Sequence, residues 1–279
     1  MSKISKVEYY IETEKVNKTI LLLTDIHYYK PSNMKKLNKI VDVLNNEKFD
    51  YICIVGDFID VGNIKEMDPF ITWLKELARL SKVMISMGGH DIVLDKGKRE
   101  YYYNEELYSR IKELDNVYLL DNTDYVEDGI RFIGLTLPLD FYYKYKENTN
   151  YFMRFVNNTF EPFEDDNYNI LLCHTPIPLT KISSYKDIRL MKNIPLALSG
   201  HTHGGIVPKC LRGIMKGRGF FSPHKGQKFP KDSYGLVRRE NTDIIISTGI
   251  TKASHTNPFP FLDGLFDSEL TFINLKRKI

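Results

Sequence analysis

The sequence predicts a layered α/β protein with mixed sheets, and two observations carry that prediction. In the first half, short β-branched and apolar runs recur with helical patterns between them, the sequence form of stacked βαβ units. In the second half the apolar runs continue with weaker helical punctuation, which favours mixed sheets over one purely parallel wound sheet.

Ile20 to Leu23 is the first run, and Leu37, Ile40, Val41 and Leu44 then mark one face of a helix. Tyr51 to Val55 is the second strand. Asp68-Pro69 is a helix start, and Phe70, Trp73, Leu74 and Leu77 form the buried stripe behind it. Val83 to Met87 is the third strand, followed by a helix carrying Leu107, Ile111 and Leu114. Short strands are expected around Val117 to Leu120, Tyr125 to Val126 and Ile130 to Leu135, with Asp128-Gly129 as the hairpin turn between the last two. Ile170 to Cys173, Leu196 to Ser199, Ile244 to Ser247 and Leu270 to Leu275 are the later strands. No internal repeat or low-complexity linker interrupts the chain, so residues 1–279 are expected to form one domain.

Composition narrows the function classes. The 279 residues are 42% hydrophobic, enough apolar material for a large core. A formal charge of +3, from 39 basic and 36 acidic residues, lacks the broad footprint of a dedicated nucleic-acid binder. Cys53, Cys173 and Cys210 are odd in number, scattered and free of any C-x-x-C pair, so no disulfide framework is expected and a reducing, cytoplasmic setting fits. The opening MSKISKVEYYIETEK alternates charged with apolar residues and does not build a signal-peptide core. No apolar run is long enough to span a bilayer, so the chain is expected to be soluble and any membrane contact peripheral.

The polar clusters carry the chemistry, because nearly all of them fall just after an apolar run. Asp25 and His27 follow the first, Gly56-Asp57 the second, and Gly88-Gly89-His90-Asp91 the third. His174 follows the run ending at Cys173, and the segment from Gly200 to Gly205, with His201 and His203, follows the run ending at Ser199. In open α/β sheets the C-terminal strand ends share one edge, so these side chains can meet in a single crevice. Carboxylate and neutral imidazole are ligands for divalent metals such as Mn, Fe or Zn, and cysteine is absent from every cluster. Asp25 and His27, two residues apart on an extended segment, can chelate one ion. Gly56, Gly88, Gly200, Gly204 and Gly205 permit the tight turns and close backbone approach that such a site needs. A single histidine after a strand is more often a hydrogen-bonded structural residue than a ligand, and a lone Gly-Asp is ordinary turn chemistry. Five such clusters at five strand ends are what point to a metal centre.

The ordered set DIH, GD, GGHD, CHTP and GHTHGG, from Asp25 to Gly205, resembles the signature of calcineurin-like metallophosphoesterases. The segment Ser247-Thr248-Gly249-Ile250 and the last strand are also similar to bacterial members. The resemblance implies a four-layered αββα sandwich with two mixed β-sheets. It implies two divalent metal ions, with Asp25, His27 and His203 on the first, His174 and His201 on the second, and Asp57 bridging. It further implies that His90 contacts the phosphate and assists the leaving group, with Asp91 orienting its ring. Where the family has Asn, this chain has Gly89, which offers no side-chain oxygen, so the second site is expected to bind its metal more weakly.

The activity implied is hydrolysis of a phosphoester by metal-activated hydroxide, with a phosphodiester or nucleotide-linked pyrophosphate favoured over a monoester. The alternative is a catalytically weak member that keeps the fold as a binding or scaffold module. The substrate expected is a phosphorylated small molecule or a lipid-linked nucleotide. Two segments are candidates to contact it. Phe141-Tyr142-Tyr143 through Tyr151, Phe152 and Arg154 is aromatic and basic, and its alternative reading is an ordinary half-buried helix. Lys209, Arg212, Lys216, Arg218 and His224 follow the GHTHGG loop and read either as contacts to an anionic group or as a merely solvated loop. Gly89, Arg212 and Arg218 are the candidate substrate-binding residues.

Overall fold

The computed structural model describes residues 3–60, 64–95, 100–102, 104–143, 149–182, 184–221, 228–251 and 266–278. In chain order the elements begin β1 (Ile4–Thr13), β2 (Lys18–Leu23), α1 (Met34–Leu44), β3 (Tyr51–Val55), α2 (Asp68–Leu80), β4 (Lys82–Ser86), β5 (Val93–Asp95) and β6 (Glu100–Tyr102). They continue with α3 (Glu105–Lys112), β7 (Val117–Leu119), β8 (Thr123–Glu127), β9 (Ile130–Leu135), α4 (Asp140–Tyr143), α5 (Thr149–Thr159), β10 (Tyr168–Cys173) and α6 (Ile177–Lys181). The last are β11 (Leu196–Ser199), α7 (Lys209–Met215), β12 (Gly235–Arg239), β13 (Thr242–Ile246) and β14 (Ser268–Arg277).

Two six-stranded mixed sheets form the centre, in the orders β1-β14-β2-β3-β4-β7 and β12-β13-β11-β10-β9-β8. Strands β2, β3, β4 and β7 run parallel, as do β9, β10, β11 and β13, while β14 opposes β2 and the outer strands β8 and β12 oppose their neighbours.

The period of two along each strand sorts side chains into layers. Ile20 and Leu22 of β2 face the other sheet, in a core with Ile170, Leu172, Leu198 and Ile245. Leu21 and Leu23 face outward, onto Leu37 and Ile40 of α1 and Trp73 and Leu74 of α2. On the second sheet Leu171 and Cys173 face outward onto Phe152, Val156 and Leu179. The result is the expected αββα sandwich. Both faces of every central strand are covered, which is why those strands read as unbroken apolar runs. Burying one such Leu or Ile stabilises the fold by roughly 1.5–3 kcal/mol.

Local signals behave as their chemistry requires. Pro69 lies in the first turn of α2, and Ser81, in extended conformation, ends it. Asp128 and Gly129 take φ of 50° and 74°, the two positive values of a type I′ hairpin between β8 and β9. The outer strands β1 and β12 escape the sequence reading. Their half-exposed faces carry polar residues, so neither shows an apolar run. In the aromatic segment, Tyr142 and Phe152 are 2% and 1% exposed and belong to the outer core of the second sheet, while Phe141 stacks on Tyr151 at 5.2 Å. Of its two readings, the half-buried helix describes it. Tyr143 in that segment, and His224 in the basic one, carry side chains outside the described residues.

Candidate metal centre

The parallel strands β2, β3 and β4 end at one edge, and β10 and β11 bring their own ends to it. Backbone hydrogen bonding continues past the strands: His27 N–H donates to Asp57 O at 2.9 Å, Gly56 N–H to Ser86 O at 2.9 Å, and Gly200 N–H to His174 O at 2.9 Å. The sheets are joined through a side chain, the Asp25 carboxylate accepting His201 N–H at 3.2 and 3.1 Å.

The loops are strained at the residues that matter. Asp25, His27, Asp57, His201 and His203 all have positive φ, from 47° to 68°, a region L-residues avoid. Each such residue costs on the order of 1–3 kcal/mol, and strain of this kind gathers at functional sites. Gly56, at φ 69°, also leaves room for a neighbour: a Cβ there would lie 2.3 Å from His174 Cγ.

The structure brings seven of the sequence-selected side chains together. Asp25, His27 and His203 each offer a ligand atom, and these lie within 4.8 Å of one another; so do those of Asp57, His174 and His201, and those of His27, Asp57 and His90. Asp57 lies between the groups. Its Oδ1 accepts His90 N–H at 2.8 Å, whereas Oδ2 sits 2.9 Å from His174 Nε2 and 3.9 Å from His27 Nε2. Asp25 Oδ1 lies 3.6 Å from His203 Nε2, 3.8 Å from His174 Nε2 and 4.0 Å from His27 Nε2.

Ring orientation is set from behind. His174 Nδ1 hydrogen-bonds Val55 O at 2.8 Å and His203 Nδ1 hydrogen-bonds Thr251 O at 3.1 Å, so each ring turns Nε2 toward the carboxylates. The buried Nε2 of His27 makes no hydrogen bond, and that of His174 has only the Asp57 carboxylate before it. Leaving such groups unsatisfied costs about 1–3 kcal/mol each, and two buried carboxylates beside them call for positive charge. Divalent cations fit both demands, and the donor set of carboxylate oxygen and imidazole nitrogen suits Mn, Fe or Zn.

The electrostatics follow from this crowding. Burial pushes the Asp25 carboxyl above its usual range, with the His174 charge opposing. Burial works in the same sense at Asp57, but the charges of His174 and His90 hold it well below the ordinary value. Burial lowers His27 to about 4. At His90 burial is outweighed by Asp57 and then Asp60, and its pKa rises to about 9.

His90 stands apart in access: its side chain is 42% exposed, against 10% for His27 and 0% for His174. It is the most exposed of the clustered imidazoles. Asp91 does not serve as its orienting partner in the way the resemblance implies. Its Oδ2 accepts Asp57 N–H and Gly88 N–H at 2.7 Å each, and its Oδ1 accepts Ile59 N–H at 3.0 Å, so it ties two loops together. The carboxylate near the ring nitrogen is Asp60, whose Oδ1 is 3.9 Å from His90 Nδ1.

Gly89 backs onto Tyr142, where a Cβ would meet Tyr142 Cβ and Cγ at 3.0 Å. The Tyr142 ring lies 6.0 Å from the ring of His174 and 5.7 Å from that of His201. Arg212 is mostly buried, its Nη1 3.1 Å from Glu269 Oε2, whereas Arg218 is exposed. Glu269, 3% exposed, also accepts from Thr248 Oγ1 at 2.9 Å and Thr271 Oγ1 at 3.0 Å. It thereby holds the segment in which Thr251 N–H meets Asp25 O at 2.9 Å. Asp60 and Glu269 escape sequence reasoning because neither stands in a polar cluster at the end of an apolar run, and Tyr142 reads in the sequence as part of a substrate-facing aromatic segment, not as the packing partner of Gly89. Gly249 at φ 81°, packed on Asp25, is the one signal of this buttress that the sequence carries.

A family model described as calcineurin-like phosphoesterase matches residues 18–205. An uncharacterized metallophosphoesterase of Helicobacter pylori is 28% identical over 207 residues, 73% of this chain and 49% of that protein. An uncharacterized metallophosphoesterase of Campylobacter jejuni is 25% identical over 279 residues, 99% of this chain and 64% of that one. The chain thus spans about half the length of the Helicobacter relatives it matches. Among solved structures, a dimetal phosphatase from Danio rerio is similar with 12% identity and a TM-score of 0.42, over 83% of this chain and 87% of that one. A purple acid phosphatase from yellow lupin seeds is similar with 16% identity and a TM-score of 0.38, over 68% and 38%.

Proposed function

Because the chain belongs to the calcineurin-like phosphoesterase family, we propose that it hydrolyses a phosphoester at the edge where Asp25, Asp57 and the five clustered histidines meet. The observation that carries this reading is Asp57 Oδ2, which faces His174 Nε2 on one side and His27 Nε2 on the other. Asp25, His27 and His203 would hold one divalent cation, His174 and His201 a second, and Asp57 both. Bound there, such ions neutralise phosphate oxygens and supply a water of lowered pKa. His90, exposed and directed by Asp60, binds a phosphoryl oxygen and gives a proton to the departing oxygen. Asp91 fixes the backbone of the Asp57 and Gly88 loops, so neither ligand loop has to reorganise.

The substrate favoured is a phosphodiester or nucleotide-linked pyrophosphate, with Arg218, which is exposed, as the proposed contact to its anionic remainder. The metals favoured are Mn, Fe or Zn. With Gly89 giving no ligand, the shell around His174 and His201 draws more on water and substrate. Residues 1–279 are read as one domain because the inter-sheet core is shared by strands from β2 to β14. Among the described residues no helix is long and apolar enough to cross a membrane. The compartment we favour is a reducing cytoplasm, a reading with which the three free cysteines are consistent.

The test is turnover of an aryl phosphodiester and a nucleotide-pyrophosphate panel with added Mn. Turnover is expected in the wild type and is expected to be abolished in Asp57→Asn. Metal binding without turnover of any phosphoester would leave the scaffold alternative standing.

A further inference from the structure

Positive charge is concentrated in one place on this chain. Residues 207–231 contain seven Lys and Arg and no Asp or Glu, while the other 32 basic residues are outnumbered by 36 acidic ones. This stretch begins just beyond the residues the family model matches, which end at 205. It also carries four of the eight large apolar side chains that stand exposed among the described residues: Ile214 is 77% exposed, Phe229 58%, Phe221 55% and Leu211 37%.

The described parts of the stretch are folded together. Gly219 N–H donates to Pro230 O at 2.8 Å, and Ser233 N–H donates to Gly217 O at 2.8 Å. Phe221 bridges to Lys228, and the rings of Phe220 and Phe229 lie 6.3 Å apart. The Tyr234 hydroxyl donates to Arg212 O at 2.7 Å, fastening α7 to the same excursion. Its base is fixed to the loop of His203, since Phe220 and Phe221 N–H both donate to Gly205 O, at 2.8 and 3.1 Å.

We propose that the described part of this excursion, residues 207–221 and 228–231, docks the protein on an anionic phospholipid surface, with Leu211, Ile214, Phe221 and Phe229 entering the headgroup region and the cations meeting phosphates. Charge complementarity selects this occupant. Lys216, Arg218, Lys228 and Lys231 are all exposed, with no acidic residue of the same stretch among them. Apolar side chains set among cations bind such an interface by burial and by attraction to anionic lipid together. A second copy of the same surface would bring like charges together. A nucleic acid would leave the aliphatic Leu211 and Ile214 without bases to stack on. Docked this way, the protein would present the His203 side of the metal centre near the bilayer. The proposal is independent of which phosphoester is cleaved.

Co-sedimentation of the full chain with vesicles tests it at physiological ionic strength. Binding to phosphatidylcholine–phosphatidylglycerol vesicles and none to pure phosphatidylcholine is expected. Ile214→Glu with Phe229→Glu should weaken partitioning at least tenfold, with circular dichroism and soluble phosphodiester turnover unchanged. Should that pair fail to fold, Lys228→Ala and Lys231→Ala serve instead, each expected to cost about fivefold. Absence of binding to anionic vesicles would overturn the proposal. So would equal binding to both lipids, retention by the Glu variants, or a dimer in solution that the Glu variants dissolve.

Discussion

The carboxyl group of Asp91 accepts the backbone N–H of Asp57 at 2.7 Å, so the loop that carries His90 fixes the loop that presents the Asp57 carboxylate. The same Oδ2 accepts Gly88 N–H at 2.7 Å, and Oδ1 accepts Ile59 N–H at 3.0 Å. Burial, and then the Asp57 charge, raise the Asp91 pKa to about 8, so these bonds count at the neutral scale of about 0.5–1.5 kcal/mol each. The Asn amide, replacing an acceptor with a donor, would leave buried N–H groups unsatisfied at about 1–3 kcal/mol each. Asp91→Asn is therefore expected to lose roughly 3 kcal/mol or more of stability, read from denaturant unfolding. An unchanged midpoint would show that these bonds are dispensable.

His90 and Asp60 are expected to act on turnover and not on metal retention. His90→Asn should lower kcat by roughly 10²–10⁴, the usual worth of a positioned acid. Asp60→Asn should lower kcat by less, and metal content measured on both variants should match the wild type. Loss of metal from His90→Asn would make His90 a ligand, as its grouping with His27 and Asp57 permits.

Gly89 is constrained by Tyr142. A Cβ at 3.0 Å from Tyr142 Cβ and Cγ meets the rooted end of that side chain, which cannot swing away. Gly89→Ala is expected to cost about 1–3 kcal/mol of stability, as overpacking does. Gly89→Asn incurs the same crowding but adds an oxygen, so its second-metal affinity should exceed that of the Ala variant in a calorimetric titration. Equal affinities would mean that the oxygen does not reach the ion.

Glu269 should matter for metal affinity from behind the site. It holds the segment whose Thr251 supplies a backbone oxygen to His203 Nδ1 and an N–H to Asp25 O. Glu269→Gln is expected to weaken Mn binding by about 10–100-fold, the scale of outer-shell substitutions. Arg212→Ala leaves the Glu269 charge buried without its ion pair and should cost about 3–5 kcal/mol of stability. Glu269→Gln with wild-type metal affinity would reduce that network to a structural role.

The central strands and the ligand clusters are legible in the sequence for one reason: strands buried on both faces leave continuous apolar runs, and the parallel topology gathers the residues just beyond those runs at one edge. Tyr51 to Val55 and Leu196 to Ser199 are readable to the residue on that basis. Strand β1 is not, because Lys6, Glu8 and Tyr10 alternate with apolar residues on a half-exposed edge. Within the site, Asp60 stands apart from the GGHD cluster that carries His90, and no spacing rule links them. The part played by Thr251 runs through a carbonyl oxygen, which every residue has. Arg212 reads as a substrate contact in the sequence because its partner Glu269 lies 57 residues away along the chain.

Asp57 is the residue that both cations would share, and metal content after dialysis against Mn tests that role most directly. Elemental analysis of the wild type should find two equivalents retained, with Asp57→Asn retaining at most one. Wild-type protein without metal, or an Asp57→Asn variant that holds as much as the wild type, would contradict it.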